Sequence, residues 1–127
     1  MKMAQAAGKL KSNGNWKAFK VQGWHVKNKE SDDMTRGQII QNNVRNTSTF
    51  ELEREPDNPY DENAIKIYLK SRATGRVQIG YVPRAMAAEW APLMDQTGWM
   101  PRIIFGMKFI REYDGRFQGL QLRYAVR

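Results

Sequence analysis

Apolar and polar positions alternate with a period of two along several stretches of the chain, the pattern of strands with one buried face. Over 16–26, WKAFKVQGWHV, Phe19 and Val21 would face inward, and Gly23 allows a bend or bulge. Phe50 to Arg54 alternates in the same way. Ile65, Ile67 and Leu69 share one face of a strand over 64–69, and Val77, Ile79 and Tyr81 one face of a strand over 76–82. Pro83 then suits the first turn of a helix. Met86, Trp90 and Leu93 recur at helical spacing, and Pro92 is expected to split or end that helix. Strands over 102–113 and 116–126 flank Asp114-Gly115, a two-residue hairpin signal. Counting outward from that turn sets Phe109 opposite Leu120, Met107 opposite Leu122 and Phe105 opposite Tyr124 on one apolar face. The other face then carries Lys108, Glu112, Phe117, Gln121 and Arg123. Residues 27–49 are polar and read as a long connection, with a weak strand near Ile39-Ile40. About six short strands, one helical segment and no βαβ alternation predict a mainly β protein, a small barrel or strongly bent sheet.

Composition narrows the chemistry. The 127 residues make one domain's worth of chain. With no cysteine and one histidine, His25, disulfides, thiolate metal sites and most triad chemistry drop out. No apolar run approaches the length of a membrane span, and the N-terminus has no secretory h-region, so an intracellular protein without a membrane partner is expected. No cofactor and no metal are expected.

The formal charge is +8, and it is uneven: +5 over residues 1–20, −1 over 21–100 and +4 over 101–127. Residues 1–15 contain three lysines, Gly8, Ser12, Asn13 and Gly14, which reads as a mobile basic arm before a domain spanning 16–127. So large an excess on so small a domain points to a polyanionic partner, although a solvated basic surface has the same composition. An exposed Phe117 among basic and amide side chains would suit base stacking.

The densest chemistry lies at 52–66, LEREPDNPYDENAIK, followed by Ile79-Gly80-Tyr81-Val82-Pro83-Arg84. Pro56 and Pro59 each fix a φ angle, and Asn58 precedes a proline, so the connection is stiff. Asn and Asp side chains can satisfy neighbouring amides there. Two readings stay open on the residues alone. Asn58 and Asp61 serve only the turn and Tyr60 packs beneath it, or the rigid loop presents all three to a ligand. Residues 51–62 also hold six acids against Arg54, so some acids must pair with basic residues elsewhere. A carboxylate among them could instead accept a hydrogen bond from a sugar hydroxyl.

This stretch resembles the HIRAN domain family: a strand ending in Arg-Glu-Pro, then Asn-Pro-Tyr-Asp, then Asn-Ala-Ile and a strand, then Gly-Tyr-hydrophobic-Pro. The resemblance spans about residues 18–126. It implies an OB-like β-barrel that binds single-stranded DNA at a free 3′ end and is not itself catalytic. It implies that Tyr60 stacks on or flanks the terminal base, that Asp61 contacts the terminal hydroxyl, that Asn58 supports the nucleotide and that Arg84 contacts phosphate. Tyr81 stands where a characterised member has histidine. Phe117 falls near a stacking aromatic, and Trp24 and His25 occupy the neighbourhood of another. Lys108 and Arg123 complete the expected DNA-binding set. Two other readings are a protein-interaction module, with Trp16, Trp24, Trp90 and Trp99 as anchors, and a nuclease holding Mg²⁺ on Asp57, Asp61 and Glu62. Helical spacing assigns Trp90 to the core, and Trp99 is expected to plug the end of the barrel.

Overall fold

A computed structural model describes residues 17–28 and 34–125 of the protein; the predicted basic arm, 1–15, lies outside the described residues. The elements run β1 (Lys17–Lys20), α1 (Arg36–Asn43), β2 (Thr49–Arg54), β3 (Ile65–Ser71), β4 (Gly75–Tyr81), α2 (Arg84–Thr97), β5 (Arg102–Arg111) and β6 (Phe117–Ala125). The strands form two antiparallel three-stranded sheets, β1-β6-β5 and β2-β3-β4. Inward residues of both, among them Phe19, Leu52, Ile65, Ile67, Leu69, Ile79, Leu120 and Leu122, join Trp90 and Met94 of α2 in one core. The protein is thus a mainly β, small OB-like barrel. Among the described residues no helix is long and apolar enough to cross a membrane.

The two sheets are joined by the segment that leaves β1. Val21 still donates its N–H to Leu120 O of β6, at 2.8 Å. One residue later, Gln22 exchanges two backbone hydrogen bonds with Tyr81 of β4, both 2.8 Å. The backbones approach so closely that a Cβ on Gly80 would lie 2.4 Å from Gln22 O, so only glycine fits there. The strand expected over 16–26 is therefore short. It ends at Lys20, and Gly23 at φ 71° turns the chain away.

The polar connection over 27–49 contains a helix, α1, where a weak strand was expected. Its start is a capping box: Thr35 Oγ1 accepts from Gln38 N–H at 3.2 Å, and Gln38 Oε1 accepts from Thr35 N–H at 2.7 Å. Gly37, Asn42 and Asn43 lower its intrinsic propensity, which hides it from a reading by periodicity. Burial of Ile39 and Ile40 holds it in place. Thr35→Ala is expected to cost about 1 kcal/mol, read as a lower midpoint in chemical denaturation.

Two further expectations are corrected. Helix α2 runs through Pro92 and ends at Gly98, which adopts φ 73°. Pro92 is exposed, and the buried stripe is Ala87, Trp90, Ala91 and Met94, not Met86, Trp90 and Leu93. Trp90 is buried as expected, and the half-buried Trp99 packs against it with ring centres 6.0 Å apart.

The β5–β6 hairpin closes one residue earlier than Asp114-Gly115 would. Gly115 N–H donates to Glu112 O at 2.8 Å, around Tyr113 and Asp114. Arg111 pairs with Phe117, and a bulge before Ile110–Gly119 restores the expected pairs Phe109–Leu120 and Met107–Leu122. A second irregularity, between Ile104 and Met107, sets Tyr124 opposite Ile103 and not Phe105. A one-residue slip exchanges the faces of a strand. Phe117 is accordingly buried, 8% exposed, where the regular hairpin had placed it on the outer face.

Candidate nucleic-acid interface

The loop between β2 and β3 is stiffened from within. Asn58 Oδ1 accepts from the N–H groups of Tyr60 and Asp61, at 2.8 and 3.0 Å, and Asn58 Nδ2 donates to Glu55 Oε1 at 2.8 Å. Asp61 Oδ1 accepts from Asn63 N–H at 2.9 Å. Arg54 braces the far side. Its guanidinium donates to Ala64 O at 2.6 Å and Glu62 O at 2.9 Å, and grips Asp95 of α2 with two bonds, 2.9 and 3.1 Å.

This bracing leaves Tyr60 outside, 86% exposed. The reading in which Tyr60 only packs beneath the turn fails on that exposure. Arg84, at the exposed start of α2, donates to Tyr60 O at 3.3 Å, and its Nε lies 3.7 Å from Asp61 Oδ2. Residues 58–63, Arg84 and Ala88 line an open cavity of about 460 Å³. Asp61 therefore spends one oxygen on the loop. Its second oxygen faces a guanidinium at ion-pair range, too far for a hydrogen bond.

Glu55 links this loop to a larger cleft. The same Oε1 that accepts from Asn58 accepts from Tyr81 Oη at 2.7 Å. Burial pushes the Glu55 carboxyl up. The hydrogen bonds from Asn58 and Tyr81, with the charges of Lys66 and Arg36, outweigh that and bring it below the usual carboxylate range. Burial and the bond to Glu55 raise the Tyr81 phenol. The cleft beyond, about 670 Å³, lies over the outer faces of β3 and β4 and is lined in part by Lys27, Asn28, Arg36, Lys66, Arg76 and Tyr81.

Asn58, Tyr60, Asp61 and Arg84 thus come together, with Tyr81 adjoining through Glu55. The other expected residues do not join them. Trp24 is half-buried, its ring edge-on to Phe117 at 5.0 Å and to His25 at 5.8 Å. A Cβ on Gly37 would touch that indole at 2.8 Å, so Trp24 packs α1 onto the barrel. Phe117 is inside and offers no stacking face. His25 is exposed beside Trp24. Lys108 and Arg123 lie on the β1-β6-β5 sheet, which does not carry the loop. Lys108 and Lys20 flank Gln121 there, from the strands on either side.

The acids of 51–62 are largely answered elsewhere. Glu51 pairs with Lys70 and Arg76, and Glu53 with Lys66 and Arg76, on the outer face of the β2-β3-β4 sheet. Among the described residues no three His, Asp or Glu side chains gather as a metal site, and Asp57, Asp61 and Glu62 do not form one. Three residues that shape this region escaped the sequence reading: Arg54 as the brace, Glu55 as the link and Arg36 in the cleft. The motif contains Arg54 and Glu55, but their roles depend on partners 41 and 26 positions away. Nothing in the sequence marks Arg36 as buried.

A family model described as HIRAN domain matches residues 17–105 of the chain. Two curated relatives, each called helicase-like transcription factor, come from Oryctolagus cuniculus and Mus musculus. Each is 44% identical over 52 residues, which is 41% of this chain and 5% of the relative. The matched stretch is therefore a small part of either relative. No solved structure matches the chain.

Proposed function

Because the chain belongs to the HIRAN domain family, a family of DNA-binding domains, we propose that it binds single-stranded DNA and recognises a free 3′ end at the 58–61 loop, without catalysing a reaction. The observation that carries this reading is Tyr60. A large aromatic ring stands 86% exposed on a loop whose backbone is fixed by Asn58 and Arg54. An exposed, pre-ordered ring stacks on a base with little ordering cost. Asp61 Oδ2 accepts a hydrogen bond from the terminal hydroxyl, and Arg84 beside it contacts the last phosphate. Titrating the protein with oligonucleotides that differ only in a free or blocked 3′ end, with a duplex and with RNA, tests the proposal. Equal affinity for free and blocked 3′ ends removes the end-recognition part.

The charge distribution supports a second expectation. Each phosphate neutralised on a single strand adds roughly 0.7 to the slope of log affinity against log salt. A slope of about 2 or more is expected, and a flat titration would remove the electrostatic contribution. Residues 1–15 add three lysines. Deleting them is expected to weaken binding and reduce the slope while leaving the preference for a free 3′ end unchanged.

A further inference from the structure

We propose that the cleft walled by Lys27, Asn28, Arg36 at the start of α1 and the outer faces of β3 and β4 takes an internal phosphodiester of the bound strand, with Lys27 and Arg36 as its cationic partners. The inference rests on the single-strand reading above and extends the strand's path beyond the end site. Arg36 is 8% exposed yet lines the cleft. Its Nε donates to Asn28 Oδ1 at 2.6 Å and its Nη1 to Gly23 O at 3.1 Å, both neutral acceptors. Its guanidinium carbon lies 5.5 Å from the centre of the Tyr81 ring. Among the described residues, neither Arg36 nor Lys27 has a carboxylate at ion-pair distance. The other cations of the cleft are already answered, Lys66 by Glu53 and Glu55, and Arg76 by Glu51 and Glu53.

A buried arginine with no acid against it is an uncommon arrangement, because burial costs the charged form and neutral acceptors offset that cost less than an anion does. Burial indeed lowers Arg36 from the ordinary arginine range, with Tyr81 and the more distant Glu55 opposing. A phosphodiester oxygen is the matching anion, and guanidinium the side chain suited to it. The position fits a continuing strand. Glu55 bonds Asn58 of the end loop on one side and Tyr81 of the cleft on the other, so the two sites share one hydrogen-bonded wall.

The test replaces one phosphate at a time. Oligonucleotides with a free 3′ hydroxyl carry a single uncharged methylphosphonate, moved linkage by linkage from the 3′ end, and are titrated by fluorescence anisotropy against wild type and Lys27→Ala. One linkage inside the terminal one is expected to cost wild type about three- to tenfold in affinity, and to cost Lys27→Ala less than about twofold. Losses that multiply independently at every linkage would overturn the proposal. Arg36→Lys keeps the charge and loses the fork, and the same coupling is expected provided its melting temperature stays near wild type. Lys27 is exposed and decides the question alone if Arg36→Lys does not fold. The ratio of affinities for 3′-hydroxyl and 3′-phosphate ends is expected to be the same in Lys27→Ala as in wild type. A ratio of one in wild type would sink end recognition, and the linkage scan would still judge the cleft.

Discussion

Tyr60→Ala is expected to lower affinity for single-stranded DNA about tenfold to a hundredfold while leaving thermal stability unchanged. Stacking of one base on one aromatic ring is worth about 1–3 kcal/mol by alanine substitution. A single exposed phosphate contact is usually weaker, because water and salt screen it. The ring itself is 86% exposed, so removing it opens no cavity in the core. Both loop bonds in which Tyr60 takes part use its backbone, the N–H to Asn58 Oδ1 and the carbonyl from Arg84, and alanine keeps them. Arg84→Ala is the comparison, with an expected loss smaller than that of Tyr60→Ala and restricted to the salt-dependent part. Anisotropy titrations at two salt concentrations read both variants. If Tyr60→Ala binds as well as wild type while Arg84→Ala does not, the stacking account fails.

What could be read without coordinates followed the range of the forces involved. Strand period, proline positions and Asx chemistry are local, so β2, β3, β4 and the stiffness of the 55–63 connection were legible. Ile65, Ile67 and Leu69 alternate inward as their spacing predicts. Two single-residue events were not legible. The bulge near Gly119 inverts the face of Phe117, turning an expected stacking platform into a core residue against Trp24 and Phe109. The close approach of Gly80 to Gln22 closes the barrel, and it depends on a contact 58 positions away in the chain. Helix α1 shows the opposite balance. Its capping box is local and was present at Thr35 and Gln38, but a helix so poor in intrinsic propensity is sustained by tertiary burial, which composition does not disclose. The motif loop was half legible for the same reason. Asn58 and Asp61 both serve the turn, and that alone does not separate turn-making from binding. The structure adds the orientation of what the turn leaves over, the Tyr60 ring and the second oxygen of Asp61, on which the proposed end recognition rests.

That second oxygen gives the sharpest expected result. An acid beside a polyanion repels it, so a site working by charge alone would bind more tightly once Asp61 is neutralised. End recognition requires the reverse. In that reading the carboxylate accepts from the terminal hydroxyl, a charge-assisted bond worth about 1.5–3 kcal/mol net. A 3′ phosphate in the same place would bring two anions together, with Arg84 left to answer both. Asp61→Asn keeps the shape and an acceptor oxygen for Asn63 N–H, so the loop's own bond at 2.9 Å survives. It removes the charge that faces Arg84 Nε at 3.7 Å, a long contact to an exposed guanidinium whose loss costs little stability. Asp61→Asn is therefore expected to weaken binding to 3′-hydroxyl DNA about tenfold or more, and to bring its affinity close to that for 3′-phosphate DNA. The melting temperature should hardly move. If Asp61 only makes the turn, the variant binds both ends as wild type does, whatever happens to its stability. If the site works by charge alone, affinity rises for both. Measuring the two affinities and the melting temperature on the one variant separates the three cases, because the affinity for 3′-hydroxyl DNA falls in the first, holds in the second and rises in the third.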